Sequence, residues 1–452
     1  MFSNTTPRLS GVRKRRRSGH RWWCVVLALT ICASACGEGG NGEGAPTSTA
    51  PSTVTSTSSA NGATTTLPTS TTAVPPPSTS EPASDPVAST APSSTAASTP
   101  TESTATSGPV EQAVAAALQL PLRRKLALLM FIGFNTGYQD TPGITDPAAA
   151  KQVIDSGVGG VFIGRKELGL FKSPVFPRET GGSLRLLVAT DAEGGRVDPL
   201  PQVGTPLPPA REMAQWPTDR VRSEAAAHGV DLRSHGVNVN FAPMLDLEGD
   251  PNPLGDRTWS ADPNAVTSHA GAFAEGMCDS GVYPTFKHFP GHGHSDFDAD
   301  LQPATTPDLA TLNAFDLIPF RSLTKSMAGR SMVMSGHLDV PGLTSDGLPF
   351  SLDPIAMEFL RSDVGFDGVV VTDELAEMGS ITQRGIRVPE AVERAIIAGN
   401  DMALFFGGPS ELETVLDRLE LAVSEGRLSP ERVDDSVRRV STLMASGACA
   451  PA

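Results

Sequence analysis

Eight short runs of apolar, β-favouring residues recur between positions 129 and 406, and helical patterns separate them. The runs cover 129–134, 159–164, 184–189, 237–243, 283–287, 331–335, 368–372 and 402–406. Helix-like stretches lie between them at 223–235, 266–279, 354–361 and 389–398. After the eighth run, Leu412, Val415, Leu416, Leu419, Ala422 and Val423 fall on one face at 3.6-residue spacing. Ser429-Pro430 then opens a last helix, with a hydroxyl at the N-cap and Pro at the first position. Such alternation demands a parallel sheet covered by helices, because each crossover must return the chain to the same edge. Eight units predict a single (β/α)8 TIM-type barrel, with a flavodoxin-type open sheet as the alternative α/β fold.

Polar residues stand at equivalent places after these runs. Asp191 follows the third, Asp246 the fourth, Lys287-His288 the fifth, His337 the sixth and Asp373 the seventh. In a barrel, the C-terminal strand ends share one mouth, so these positions predict one site rather than scattered surface charge.

The first 109 residues follow a different logic. Residues 1–36 hold seven basic side chains and no acid, and a 14-residue apolar run (22–35) follows Arg21. That run is shorter than the roughly 20 residues of a membrane span and fits a signal-peptide core. It closes on Ala33-Ser34-Ala35-Cys36-Gly37, which resembles a bacterial lipobox with Ala33 where Leu is usual. The resemblance implies a lipid on Cys36 and attachment to the outer face of the cytoplasmic membrane; ordinary cleavage at Ala35 would instead release the protein. Residues 37–109 contain 33 Ser or Thr, 11 Pro and no aromatic residue. A segment of that composition cannot offset its ordering entropy by burial and is expected to be a disordered tether. Residues 110–452 remain for the barrel, with 28 basic against 45 acidic groups. So acidic a body argues against a nucleic-acid partner, which needs clustered Lys and Arg. If Cys36 is acylated and Cys24 and Cys32 leave with the signal, only Cys278 and Cys449 remain, and two distant thiols predict no disulfide framework.

Three segments carry the chemistry. The densest is Lys287-His288-Phe289-Pro290-Gly291-His292-Gly293-His294, which continues through Asp296, Asp298 and Asp300. A Gly/Pro-rich loop holding three of eight histidines reads as functional. The second is Val369-Val370-Val371-Thr372-Asp373-Glu374-Leu375, and the third Thr190-Asp191-Ala192-Glu193-Gly194-Gly195-Arg196-Val197. With Val237-Asn238-Val239-Asn240-Phe241-Ala242-Pro243 and Gly255-Asp256-Arg257, they resemble glycoside hydrolase family 3, in particular the single-barrel β-N-acetylglucosaminidases (β-hexosaminidases) of bacterial envelopes. The resemblance runs in order from about Leu126 to Leu443.

The resemblance implies a retaining glycosidase that acts on terminal β-linked N-acetylglucosamine of glycans or peptidoglycan fragments. It implies a monomer and neither cofactor nor metal. Asp373 matches the nucleophile that forms a glycosyl-enzyme intermediate. Asp191, Arg257, Lys287 and His288 match residues that hold sugar hydroxyls through charge-assisted hydrogen bonds, and His337, where the family often has His, is expected among the substrate-binding residues, with a structural role as the alternative. The sequence departs from the subgroup in three places. The usual Asp-Ser-His acid/base trio reads Asp298-Ala299-Asp300, Pro199 replaces a sugar-binding Arg, and Glu377-Met378 replaces a single Met. Asp300 can act as acid/base only if its pKa is raised, and Asp298 is expected to do so by like-charge repulsion; His294 is the alternative donor.

Two other readings stand beside this one. A barrel that has lost its acid/base would be a glycan-binding envelope lipoprotein. His292, His294, Asp296, Asp298 and Asp300 alternate, so an extended loop would present them together as metal ligands. The 46 residues after Phe406 suffice to finish a barrel and leave no room for the C-terminal domain that supplies the acid in other members.

Overall fold

A computed structural model describes residues 108–134, 146–164, 184–198, 204 and 206–449. The expected signal, Cys36, Pro199 and the tether up to residue 107 lie outside the described residues, and Pro109, expected to end the tether, opens a helix, Pro109–Leu118. Among the described residues ten strands occur in chain order: β1 Met130–Phe134, β2 Gly160–Ile163, β3 Leu187–Thr190, β4 Val239–Asn240, β5 Tyr283–Phe289, β6 Ala304–Thr305, β7 Met332–Ser335, β8 Leu338–Asp339, β9 Val370–Thr372 and β10 Ala403–Phe406. Eight of them form one parallel sheet in the order β10-β1-β2-β3-β4-β5-β7-β9. A parallel bridge between Val371 and Met402 joins its two ends, with Asp401 N donating to Val370 O at 2.8 Å. The sheet is therefore a (β/α)8 barrel, and each of the eight predicted runs supplies one strand. The short pair β6-β8 lies outside it.

The barrel interior is aromatic. Phe162 stacks on Phe241 with centroids 5.6 Å apart and planes 6° from parallel, and Phe131 tilts against Phe241 at 5.3 Å. Around the strands, Thr218–Ser234 and Pro263–Asp279 pack side by side, and Pro409–Ser424 and Pro430–Ser446 complete the last unit. Ser429 caps the last helix as expected, its hydroxyl accepting from Arg432 N. Among the described residues no helix is long and apolar enough to cross a membrane.

Two strands depart from regular geometry, and both departures build the site. β4 has only two residues where the apolar run predicted seven, and the side-chain amides of Asn238 and Asn240 supplement its backbone pairing with the β3 segment. Asn238 Oδ1 accepts from Val188 N at 2.7 Å, and its Nδ2 donates to Leu186 O at 2.8 Å. Asn240 repeats the pattern on Ala192, with both bonds at 2.9 Å. On β5 the register with β7 shifts between Phe286 and Phe289. Regular strands send successive side chains to opposite faces, so an irregularity here is what allows consecutive Lys287 and His288 to serve one cavity.

Cys278 and Cys449 form a disulfide, with Cα atoms 4.5 Å apart. The sequence gives no sign of this pairing. It arises because the last helix returns the chain end to the C-terminus of Pro263–Asp279, and the cross-link closes a loop across 171 positions.

Candidate active site

A cavity of about 510 Å³ opens at the C-terminal ends of the barrel strands. Its floor is apolar, formed by Phe162, Ile163, Phe241, Met334, Leu404 and Phe406. Its charged wall brings together Asp191, Arg257, Lys287, His288, Asp300 and Asp373, residues drawn from distant parts of the chain. Six of the ten predicted catalytic, binding and lipid-bearing residues therefore line one cavity.

The cationic half is built on a carboxylate the prediction omitted. Glu193 is buried between Arg257, which donates to both its oxygens at 2.8 Å, and Lys287, 2.7 Å away. Lys287 also donates to Asp191 at 2.7 Å. Burial opposes charge on Glu193, yet the two cations hold its carboxyl far below the usual range. Burial likewise opposes charge on Lys287 and Arg257, and their carboxylate partners outweigh it, so both stay cationic. The clue was its place in the sequence: Glu193 stands two positions after Asp191 and directly before a Gly-Gly turn, just past the third run. Glu193 is aimed by the turn that follows it, where Gly194 and Gly195 have φ of +96° and +60°. A side chain at Gly194 would also strike Pro208 O at 2.3 Å.

A second pair sets up Asp373. Asp246, fully buried, accepts from His288 N, His288 Nδ1 and His292 N at 3.0, 2.8 and 2.6 Å. Burial disfavours both charges, but each stabilises the other, so Asp246 is lowered and His288 is raised. His288 Nε2 then faces Asp373 Oδ2 at 3.8 Å. Burial pushes Asp373 up, and the positive charges of His288 and Lys287 bring it below the usual carboxylate range. Asp373 Oδ1 also accepts from Glu374 N at 2.9 Å. It is thus an ionised carboxylate at the end of β9, facing the cavity.

Asp300 has the opposite character. It lines the same cavity, and its carboxyl is pushed up to about 6. Burial is the largest cause, the negative charge of Asp373 comes second and Asp298 third. The sequence names Asp298 as the cause; it contributes, but burial and Asp373 contribute more. Asp298 does not line the cavity; its Oδ1 accepts from Asp300 N at 3.0 Å and so fixes the turn that presents Asp300.

The remaining histidines are engaged elsewhere. His294 donates from Nδ1 to the buried Asp316 at 2.7 Å and is not part of the cavity lining. His292 meets the His288 ring edge-on at 5.6 Å, and its Nε2 accepts from Ala299 N at 3.2 Å. Burial and the His288 cation push its pKa down to about 4, so it is neutral. His337, expected among the substrate-binding residues, is instead fully buried and outside the cavity lining; Nε2 donates to Glu374 O at 2.9 Å and Nδ1 accepts from Ser351 Oγ at 2.6 Å. Burial holds it neutral too.

The alternating His/Asp loop does not gather its side chains. Asp296 accepts from Thr305 N at 2.7 Å, while His294 and Asp298 turn to the partners named above. Among the described residues no group of three or more His, Cys, Asp or Glu is placed to hold a metal ion. The loop's tight path is set by Gly293, where a side chain would meet Leu247 O at 1.7 Å. Further lining residues that the sequence reading did not assign are Arg196, Glu374 and Glu377. Glu374 accepts from the backbone N–H groups of Ala376, Glu377 and Phe406, and burial pushes its carboxyl up to about 8.

Residues 122–443 match the glycosyl hydrolase family 3 N terminal domain. Beta-hexosaminidase LpqI of Mycobacterium tuberculosis is 40% identical over 352 residues, covering 74% of this chain and 87% of that one. The solved structure of M. tuberculosis LpqI aligns with a TM-score of 0.67 at 39% identity, over 74% of this chain and 96% of that one. A glycoside hydrolase family 3 β-N-acetylglucosaminidase from Paenibacillus sp. str. FPU-7 aligns with a TM-score of 0.65 at 31% identity, over 73% and 63% of the two chains.

Proposed function

Since the chain belongs to glycosyl hydrolase family 3, we propose that it is a retaining β-N-acetylhexosaminidase in which Asp373 is the nucleophile and Asp300 the acid/base. The observation that carries this reading is the pair of carboxyls in one cavity with opposed protonation. Asp373 is held ionised by neighbouring cations, and Asp300 titrates near 6. Environments that push two carboxyls apart in this way assign acid and base roles. Asp300 protonates the departing glycosidic oxygen while Asp373 attacks the anomeric carbon, and a glycosyl ester forms. Asp300, now ionised, takes a proton from water, which attacks the same carbon and frees Asp373. His288 and the Glu374 N–H hold Asp373 in place throughout.

Lys287, Arg257 and Asp191 hold the sugar hydroxyls, since ions fixed before substrate arrives need little reorganisation. The aromatic floor accepts the apolar face of the ring. The β-N-acetylhexosamine preference rests on the relatives, whose names state it. The reading as a glycan-binding barrel without an acid has less support, because a carboxyl titrating near 6 stands on the cavity wall. The disulfide favours an oxidising compartment, which agrees with an exported lipoprotein anchored through Cys36, a tether over 37–109 and a folded region over 110–452.

The test is turnover of a chromogenic β-N-acetylglucosaminide by purified 110–452, with the anomer first released identified by proton NMR. Release of the β-anomer, abolished by Asp373→Asn, is expected. Initial release of the α-anomer, or activity indifferent to that substitution, would overturn the reading.

A further inference from the structure

The loop after β9 carries a carboxylate that the reaction above leaves unused. Glu377 lines the cavity together with Asp373, four residues before it. Its Oε1 is shut off from solvent and has no hydrogen-bond donor. A carboxylate oxygen out of water and without a donor is costly, and native structures rarely keep one without a use.

The loop cannot relieve this by drifting outward, because it is tied down on both sides. Glu377 N donates to Glu374 Oε2 at 2.6 Å. Gly379 N donates to Asp300 O at 2.8 Å, Ser380 N to Ala299 O at 3.1 Å and Gln383 Nε2 to Leu301 O at 2.6 Å. Nor are the cations lining the cavity available to it. Arg257 is held by Glu193, Lys287 by Asp191 and Glu193, His288 by Asp246 and Asp373, and Arg196 by Asp256 and Leu254 O. The other carboxylates of the β9 loop already have donors, Asp373 from Glu374 N and Glu374 from three amides. What fits Glu377 is a neutral donor brought in by the ligand.

We propose that Glu377 is a specificity-determining residue whose Oε1 accepts a hydrogen bond from a hydroxyl of the bound sugar, on the Asp300 side of the cavity. The sugar meant is the one whose anomeric carbon faces Asp373, because both carboxylates line one cavity from one short loop. The inference rests on the glycosidase reading above. A charge-assisted hydrogen bond is made to the substrate in its ground state and kept in the transition state, so its loss raises KM more than it lowers kcat.

The experiment measures kcat and KM of wild type, Glu377→Ala and Glu377→Gln on an aryl β-N-acetylglucosaminide and on its 3-, 4- and 6-deoxy analogues. On the parent substrate Glu377→Ala is expected to lower kcat/KM about 10- to 100-fold, the usual range for a bond to a charged group. On the one analogue that lacks the partner hydroxyl, the difference from wild type shrinks to within about threefold. Glu377→Gln keeps an acceptor oxygen and falls between, and it carries the test if the alanine variant fails to fold. The alkaline limb of the pH profile stays in place, which a purely electrostatic effect through Asp300 would not allow. An equal loss on every analogue, or none on the parent, overturns the inference alone. Absence of wild-type turnover on all four substrates overturns the glycosidase reading and this inference with it.

Discussion

His288 Nε2 stands 3.8 Å from Asp373 Oδ2 while its Nδ1 donates to the buried Asp246 at 2.8 Å. Asp246 keeps the imidazole charged despite burial, and that charge lowers Asp373. Asp246→Asn removes the source of this chain. Asp373 then ionises at higher pH, so the acidic limb of kcat/KM moves upward, by roughly one unit for about 1.4 kcal/mol of lost interaction. A pH profile measured from about 3.5 to 7 reads the shift. An unmoved acidic limb would detach Asp246 from Asp373.

Asp300 donates a proton only while protonated, and its carboxyl is pushed up to about 6 by burial, Asp373 and Asp298. The rate on substrates with poor leaving groups therefore declines as pH rises through about 6. Asp300→Ala lowers kcat/KM on such substrates about 100- to 10,000-fold, and far less when the leaving group is activated, because kcat/KM reports glycosylation alone. Asp300→His places an imidazole on the same loop and is expected to move the alkaline limb toward the ordinary imidazole value of roughly 6.5. Equal losses on good and poor leaving groups would argue that Asp300 is not the acid.

The same shift predicts a stability effect. A carboxyl whose folded pKa is raised above its unfolded value of about 3.9 favours the folded state below that pH. The benefit is lost as pH rises through about 6. Asp300→Asn keeps the neutral form at every pH, so it is expected to be about 1–2 kcal/mol more stable than wild type near pH 7.5. The gap closes near pH 4. Urea titrations at the two pH values check this, and a pH-independent difference would contradict the burial of Asp300.

Cys278–Cys449 ties the end of the chain to the barrel wall across 171 positions. Removing a cross-link of that span is expected to cost about 2–4 kcal/mol. Cys278→Ser with Cys449→Ser should show it as a lower denaturant midpoint, and reductant should lower the wild-type midpoint alike. A midpoint that responds to neither would mean the thiols are unpaired in solution.

The fold was legible because the barrel repeats one pattern eight times, and apolar runs such as 129–134 and 402–406 mark strands wherever helices cover them. The cavity residues Asp191, Lys287, His288 and Asp373 were legible for the same reason, each standing at or just past the C-terminal end of a strand. Glu193 and Glu377 were harder to read. Their roles depend on what they meet across the mouth, the first on Arg257 and Lys287, the second on the absence of any donor. His294 looked equivalent to its neighbours in sequence, yet Asp316, 22 positions on, holds it outside the lining. The disulfide could not be read because tertiary packing alone brings its two halves together. For Asp300 the sequence points only to its neighbour Asp298, because burial and the approach of Asp373 arise from folding.

The account turns on a sugar ester at Asp373. The most direct measurement is mass spectrometry of the protein after incubation with a 5-fluoro N-acetylglucosaminyl fluoride, which slows both steps and lets an intermediate accumulate. The account predicts one added sugar, located by peptide mapping to the segment containing Asp373 and absent from Asp373→Asn. Steady turnover of the same compound with no adduct, or an adduct on another residue, would contradict it.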